Sequence, residues 1–404
     1  MTERRIIPIA IQAAPPAGPR VPQLTASPPL ALYIHFPWCV RKCPYCDFNS
    51  HAVRDEGIPE AAYLEALIAD LESALPGIWG RRVHSVFIGG GTPSLLSPDG
   101  LDALLTAVRM RVLLDPMAEI TLEANPGTVE AGRFRAFREA GVNRISLGIQ
   151  SFDDRHLQAL GRIHGSAEAR AAAEIALAHF DTVNLDLMYA LPGQTLADAE
   201  ADLATALALG PAHLSCYHLT LEPNTAFAAH PPELPDGDLA ADMQDHVESR
   251  LSAAGYVHYE TSAFARPQRE CRHNLNYWTF GDYLGIGAGA HGKLSSHAGI
   301  LREMRHKHPA AYLAAQQSGD FVQERRTVSG AELPFEFMMN ALRLNGGFPL
   351  RLFAERTGLP SEAAETGLIE ARRRDLVTIE DDWLRPTDQG RRFLNDLLTL
   401  FLAD

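Results

Sequence analysis

The chain has too few cysteines for a disulfide framework, too little positive charge for a general nucleic-acid binder, and no apolar run that could span a bilayer. Only five of its 404 residues are cysteine, and three of these fall within eight positions. Disulfide scaffolds distribute paired cysteines through short secreted chains, so a tight cluster in a chain of this size points to metal instead. Lys and Arg number 36 against 50 Asp and Glu, a formal net charge of −14. Binding nucleic acid requires a basic surface to neutralise phosphates, and the overall balance disfavours it. A membrane helix needs roughly 20 consecutive apolar residues, and none occur. Residues 1–29 carry Arg4, Arg5 and Arg20 among prolines, without the apolar block and cleavage site of a secretory signal, and read as a flexible leader. The expected compartment is the cytoplasm.

What the chain does have is alternation. Leu30–Phe36, Ser85–Ile88, Glu119–Ala124, Arg144–Ile149, Val183–Tyr189 and His213–Leu221 read as six strands. Between them, Ala-, Leu- and Glu-rich segments such as Glu60–Leu75, Gly100–Leu114, Val129–Ala140 and Leu196–Leu209 have helical spacing. Strands alternating with helices imply a parallel α/β sheet with helical crossovers. Six units are too few for a closed eight-fold barrel and fit an open, partial one. Beyond a proline-rich loop, Asp238–Ala254 reads as a helix and Tyr256–Ala263 as a strand, and the Gly-rich stretch 281–292 as an irregular segment lining a site. Residues 30–300 are therefore expected to form the core, 301–326 a connecting helix, and 327–404 a small α+β module resembling a winged helix. Arg372, Arg373 and Arg374 lie in that module, but its acidic residues offset them, which leaves DNA binding the weaker reading.

The chemical signal is Cys39-Val-Arg-Lys-Cys43-Pro-Tyr-Cys46, directly after the first strand. Three thiolates on a tight loop can each hold one iron of a [4Fe–4S] cubane, leaving the fourth iron open to a small molecule. A Cys3His zinc site completed by His35 or His51 is the competing reading, and free structural cysteines a third. Gly89-Gly90-Gly91-Thr92-Pro93 closes the second strand and would let a ligand approach the backbone. Glu123, Gln150 and Asp186 are polar residues at strand ends, where such sheets concentrate ligands, and burying them unpaired would be costly. Arg162 suits a carboxylate through charge-assisted hydrogen bonds. Each of these also reads as a buried network supporting the loops.

A C-x3-C-x2-C loop after strand one of a partial (βα)6 barrel, with the glycine run after strand two, resembles the radical SAM superfamily. That resemblance implies that Cys39, Cys43 and Cys46 ligate a [4Fe–4S] cluster whose open iron is chelated by S-adenosylmethionine (SAM). It further implies that Gly90, Gly91 and Thr92 meet the methionyl amine, that Tyr33 and Tyr45 lie near the ligand, and that Arg162 takes its carboxylate. Gln150 and Asp186 would serve the ribose, and Glu123 the polar network.

Within the superfamily, Tyr-Ile-His-Phe-Pro-Trp-Cys and Gly-Ile-Gln-Ser-Phe resemble the group of oxygen-independent coproporphyrinogen III oxidases and HemW-type heme chaperones. Two features separate its branches. The oxidases carry a fourth cysteine where this chain has Phe48, and His273-Asn274-Leu-Asn-Tyr277-Trp278 matches the HNxxYW heme motif of the chaperones. His273 offers an imidazole for axial ligation, and Tyr277 and Trp278 offer flat apolar faces for a porphyrin. Arg266, Arg269 and Arg272 could pair with two propionates, and Cys271 is a weaker candidate ligand; packing of a strand-to-helix junction is the alternative. The resemblance thus implies a heme chaperone that carries a SAM-coordinating cluster and passes heme to acceptor hemoproteins such as respiratory enzymes. It also implies an electron donor wherever SAM is cleaved, no nucleic acid, no transmembrane segment, and room for peripheral membrane association or a homodimer. The enzyme reading, radical oxidative decarboxylation of coproporphyrinogen III in porphyrin biosynthesis, is the alternative, and no catalytic residue is assigned.

Overall fold

Alternating side chains along the central strands divide the molecule into a helix-covered apolar layer and a polar interior. Ile145, Leu147 and Ile149 of one strand, Val183, Leu185 and Leu187 of the next, and Leu214 and Cys216 of a third join one continuous apolar core. Their neighbours Arg144, Ser146, Asn184, Asp186 and Ser215 face an internal cavity instead. Successive strand residues point to opposite faces, so this period of two sends the polar half of each strand inward.

The computed structural model describes residues 23–403. Its main sheet contains β1 (Leu30–Phe36), β2 (Arg82–Gly90), β3 (Leu113–Ala124), β4 (Arg144–Gln150), β5 (Thr182–Tyr189), β6 (His213–His218), β7 (Val257–Glu260), β8 (Ala263–Ala265), β9 (Asp282–Ile286), β10 (His291–Ser296), β11 (Gly299–Arg305) and β12 (Val322–Thr327). In space they run β12-β11-β10-β9-β1-β2-β3-β4-β5-β6-β8-β7. The pairings from β9 through β1 to β6 are all parallel, and the flanking ones are antiparallel. Helices Glu60–Ile78, Pro98–Arg111, Ala131–Ala140, Ser166–His179 and Leu196–Leu209 supply the crossovers. The last is set by a capping box, Thr195 accepting from the Asp198 N–H while the Asp198 carboxylate accepts from the Thr195 N–H, and it stops at left-handed Gly210.

Three expectations change. The Gly-rich stretch 281–292 is not irregular: it contains β9, a seventh parallel strand, and the start of β10. Its glycines are packing features, since a Cβ on Gly285 would lie 2.0 Å from the carbonyl oxygen of His291. Residues 301–326 form the end of β11, a short helix Pro309–Ala315 and β12, rather than one connecting helix. Both strands extend the main sheet, which the charged segments Leu301–Arg305 and Val322–Thr327 conceal at the level of composition. Of the expected leader, residues 1–22 lie outside the described residues, and the remainder is held in place. Gln23 donates to the Gly358 carbonyl at 2.9 Å, Pro28 accepts from Arg81 at 2.7 Å, and Pro29 accepts from the Asp282 N–H at 2.8 Å.

The C-terminal module has its own core around Phe337, Phe348 and Phe353. Helices Leu333–Ala341, Arg351–Thr357 and Glu365–Arg373 precede the hairpin Val377–Glu380/Trp383–Pro386, which adds Phe348–Pro349 as a third strand. This is the order of a winged helix.

Candidate functional site

The loop after β1 is tied at both ends. Trp38–Cys39 pairs with His51–Ala52, and the Gly91 and Thr92 N–H groups donate to the carbonyls of Phe36 and Trp38, both at 2.7 Å. This pins Cys39 beside the end of β2. All three loop cysteines are free, partly exposed, and line one cavity of about 460 Å³. Cys43 Sγ accepts from Arg162 Nη1 at 3.6 Å, and Cys46 Sγ lies 3.7 Å from Ser50 Oγ. Burial raises the pKa of Cys39, and contact with the Thr92 hydroxyl opposes that rise.

The spacing of the thiols discriminates between metals. A single tetrahedral zinc at ~2.3 Å from each sulfur would bring the sulfurs within about 4 Å of one another. Among the described residues the only trio of potential ligands mutually within 4.8 Å is Asp153–His156–Asp198, away from the cysteines. The three sulfurs are not gathered that tightly, which leaves room between them for more than one metal ion. His35 is also committed elsewhere, with Nδ1 3.0 Å from the Tyr33 hydroxyl and Nε2 2.9 Å from the Asn49 carbonyl. The donor set fits a [4Fe–4S] cluster held by three thiolates.

Most of the other expected ligands surround the same cavity: Tyr45, Gly90, Gly91, Glu123, Gln150, Arg162 and Asp186. Gly90 has φ 114° and lies where a Cβ would strike the His35 ring at 2.4 Å, so only glycine fits. Its N–H donates to Glu123 Oε2 at 2.9 Å. Burial pushes the Glu123 pKa up to about 7, with the charge of Asp186 adding to the rise and the Gly90 N–H opposing it. Gln150 is non-glycine at φ 70°, where the register between β4 and β5 shifts. The bulge bends the end of β4 at the cost of local strain while Gln150 stays on the cavity side, in step with Arg144 and Ser146. Arg162 donates to Asn125 Oδ1 at 2.5 Å and to the Gly148 carbonyl at 2.7 Å, and its Nε is buried without a partner. Asp186 accepts from Asn184 at 2.8 Å and Ser146 at 3.1 Å, and burial raises its pKa. Thr92 backs the wall, its hydroxyl accepting from Asn125 at 2.9 Å. Tyr33 differs from expectation: it faces a second cavity.

Arg144, Asn125, Asn184 and Ser215 also line the first cavity and were not singled out in the sequence. Arg144 is 3% exposed and makes no ion pair among the described residues, and its Nε has no partner. The period-two position of Arg144, Ser146 and Gln150 along β4 is the signal that marks it.

The HNxxYW segment forms a short helix, Arg272–Trp278, held against β2 at Ser85 and against β3 at Glu119. His273 is 1% exposed and engaged on both ring nitrogens, Nδ1 with Ser85 Oγ and Nε2 with Tyr277 Oη, each at 2.9 Å. Its N–H donates to Glu119 at 3.0 Å, and burial pushes its pKa down to about 3. It faces neither cavity, which corrects the expectation of an imidazole free to ligate iron. The motif's members diverge: Asn274 lines the first cavity, while Tyr277 and Trp278 line the second. The second cavity, about 430 Å³, is walled by Tyr33, Phe48, Tyr277, Trp278 and Tyr283 and shares Phe48, Gly90 and Glu123 with the first. Cys271 is fully buried against Glu119. The upstream arginines line neither cavity: Arg266 stacks over Tyr256 at 4.2 Å, Arg269 reaches Thr182, and Arg272 donates to the Met117 carbonyl.

Comparison with known proteins supplies the family context. Residues 33–206 match the radical SAM superfamily, and residues 328–393 match the HemN C-terminal domain. The heme chaperone HemW of Escherichia coli is 50% identical across 93% of this chain and 99% of its own length. HemW of Mycobacterium tuberculosis is 38% identical across 93% and 95%. The mitochondrial radical S-adenosyl methionine domain-containing protein 1 of Bos taurus is 35% identical across 96% and 90%. Among solved structures, coproporphyrinogen III oxidase (HemN) of E. coli superposes with a TM-score of 0.79 over 93% of this chain and 90% of its own, at 22% identity, a likeness of fold.

Proposed function

Because the chain belongs to the HemW family within the radical SAM superfamily, we propose that it binds heme and transfers it to acceptor hemoproteins, carrying a SAM-coordinating [4Fe–4S] cluster. The observation that carries the cofactor half is a set of three, and only three, thiols opening on one polar cavity. Cys39, Cys43 and Cys46 would hold the cluster; Gly90, Gly91 and Thr92 would meet the amine of SAM, Arg162 its carboxylate, and Gln150 and Asp186 its ribose. When bound, the cluster supplies a one-electron centre and an open iron for chelation. The residues themselves do simpler work: they orient the ligand and keep Glu123 and Asp186 in a water-poor wall. The heme half rests on family membership and on the aromatic cavity beside the first. Acceptor hemoproteins are the partners in this reading, with an electron donor wherever SAM is cleaved, and the cytoplasm is the compartment. No helix is long and apolar enough to cross a membrane among the described residues.

The test sets carrier against oxidase on one preparation. The anaerobically reconstituted chain is titrated with heme, then incubated with coproporphyrinogen III, SAM and a reductant. A saturable Soret shift without protoporphyrinogen formation is expected; turnover of the porphyrinogen would establish the oxidase reading.

Glu123 makes the SAM site pH-sensitive. Protonated below about pH 7, its carboxyl is a weak acceptor for the N–H of the iron-bound amine; ionised above, it accepts a stronger, charge-assisted hydrogen bond. SAM affinity of the cluster-loaded protein should therefore rise roughly tenfold from pH 6 to pH 8, as the ionised fraction grows from about one-tenth to about nine-tenths. Glu123→Gln should bind weakly and without that slope. An equal slope in both proteins would remove Glu123 from the amine contact.

A further inference from the structure

Two imidazoles border the aromatic cleft, and they differ in freedom. His35 is held at both nitrogens by Tyr33 and Asn49. His291 lines the same cleft and makes no side-chain hydrogen bond or ion pair among the described residues. Its backbone is fixed, since it opens β10, pairs with Met304, and lies against Gly285, where no other side chain would fit. Its side chain is exposed, so the fixed backbone sets an unengaged imidazole at the open edge of the cleft, where it can reach an iron. Partial desolvation against the cleft, with the positive charges of Lys307 and Arg302, holds its pKa below the usual value and favours the neutral form that binds iron.

The surroundings match the rest of a heme. Tyr277 stands edge-on to Tyr283 at 4.6 Å and 80°, and Phe48, 59% exposed, leaves the mouth of the cleft open to solvent. Lys42 donates to the Phe48 carbonyl at 3.2 Å, and Lys307, whose carbonyl accepts from Asn49 at 2.8 Å, lies beside His291. These are two of the chain's three lysines, and neither has an ion-pair partner among the described residues; the third, Lys293, is buried against Asp282 at 3.0 Å. Flat apolar walls, one unengaged imidazole and two free cations at the rim suit a planar, dianionic, iron-bearing macrocycle.

We propose that His291 is the axial ligand to the heme iron, with the porphyrin seated in the cleft of Tyr33, Phe48, Tyr277, Trp278 and Tyr283. His273 is then a positioning residue that holds the Tyr277 hydroxyl. The assignment rests on the heme-binding reading above.

The experiment titrates hemin and, separately, iron-free protoporphyrin IX into the full chain with its cluster reconstituted. His291→Ala should lose the histidine-ligated ferric spectrum and weaken hemin binding at least tenfold, while protoporphyrin IX binds as tightly as to the unsubstituted chain. Added imidazole should restore the ligated spectrum. His273→Gln should keep that spectrum. The assignment is overturned if His291→Ala retains both spectrum and affinity, or if His273→Gln is the variant that loses the spectrum and is rescued by imidazole. Absence of saturable hemin binding by the unsubstituted chain would instead overturn the carrier reading itself.

Discussion

Serine at Cys39, Cys43 and Cys46 together is expected to leave a chain that takes up no iron–sulfur cluster on anaerobic reconstitution with iron and sulfide. Thiolate binds iron as a soft, strongly donating ligand, and a serine hydroxyl at neutral pH does not ionise to replace it. The loop that carries the cysteines lies on the rim of the barrel and outside the main apolar core, apart from Trp38. The triple variant should therefore melt within about 1 kcal/mol of the parent apoprotein, as substitutions away from the core generally do. Iron and sulfide analysis alongside visible absorbance checks the result. A variant that stayed brown, with iron in parental stoichiometry, would sink the cluster assignment. Equal loss of SAM binding is expected, because the open iron supplies the ligand's strongest attachment.

Arg162→Ala is expected to weaken SAM binding about 100-fold, or about 2.8 kcal/mol. The guanidinium is positioned by Asn125 Oδ1, the Gly148 carbonyl and the Cys43 sulfur, and its Nε has no partner. A charge-assisted contact to a carboxylate contributes about 1.5–3 kcal/mol, and removal also frees Asn125 from its tether. Arg162→Lys keeps the charge but not the fork, so it should recover only part of the loss. Isothermal titration on cluster-loaded protein measures both. If Arg162→Ala bound SAM within twofold of the parent, the residue would belong to the loop's support and not to the ligand.

The parts of the fold that were legible in the sequence are those with strong local periodicity. Leu30–Phe36 and Leu196–Leu209 form with the expected bounds, because an unbroken apolar strand and a capped Ala/Leu-rich helix leave little ambiguity. Strand β9 was hidden by Gly281, Gly285 and Gly287, which lower strand propensity while meeting the close approach of the His35 and His291 backbones. The cysteine spacing identified the first cavity because covalent chemistry is written in short local patterns. Arg144 and His291 were missed for the opposite reason. One gains its meaning from the inward face of a barrel and the other from a cleft closed by residues more than 200 positions apart, and no local window contains either. His273 shows the converse: the motif's histidine reads as a ligand in the sequence but is, in space, packed between Ser85, Glu119 and Tyr277, while its neighbours line the cavities.

Helix Arg272–Trp278 presents Asn274 to one cavity and Tyr277 with Trp278 to the other, and Trp278 also leans on the C-terminal core. Seven residues thus form a common partition. Its His273 is held at both ring nitrogens, so the residues facing the two cavities share one anchored backbone. Whatever bias occupancy on one side exerts through that backbone on the other, thermodynamic reciprocity requires that any factor by which SAM alters heme affinity be returned equally by heme to SAM.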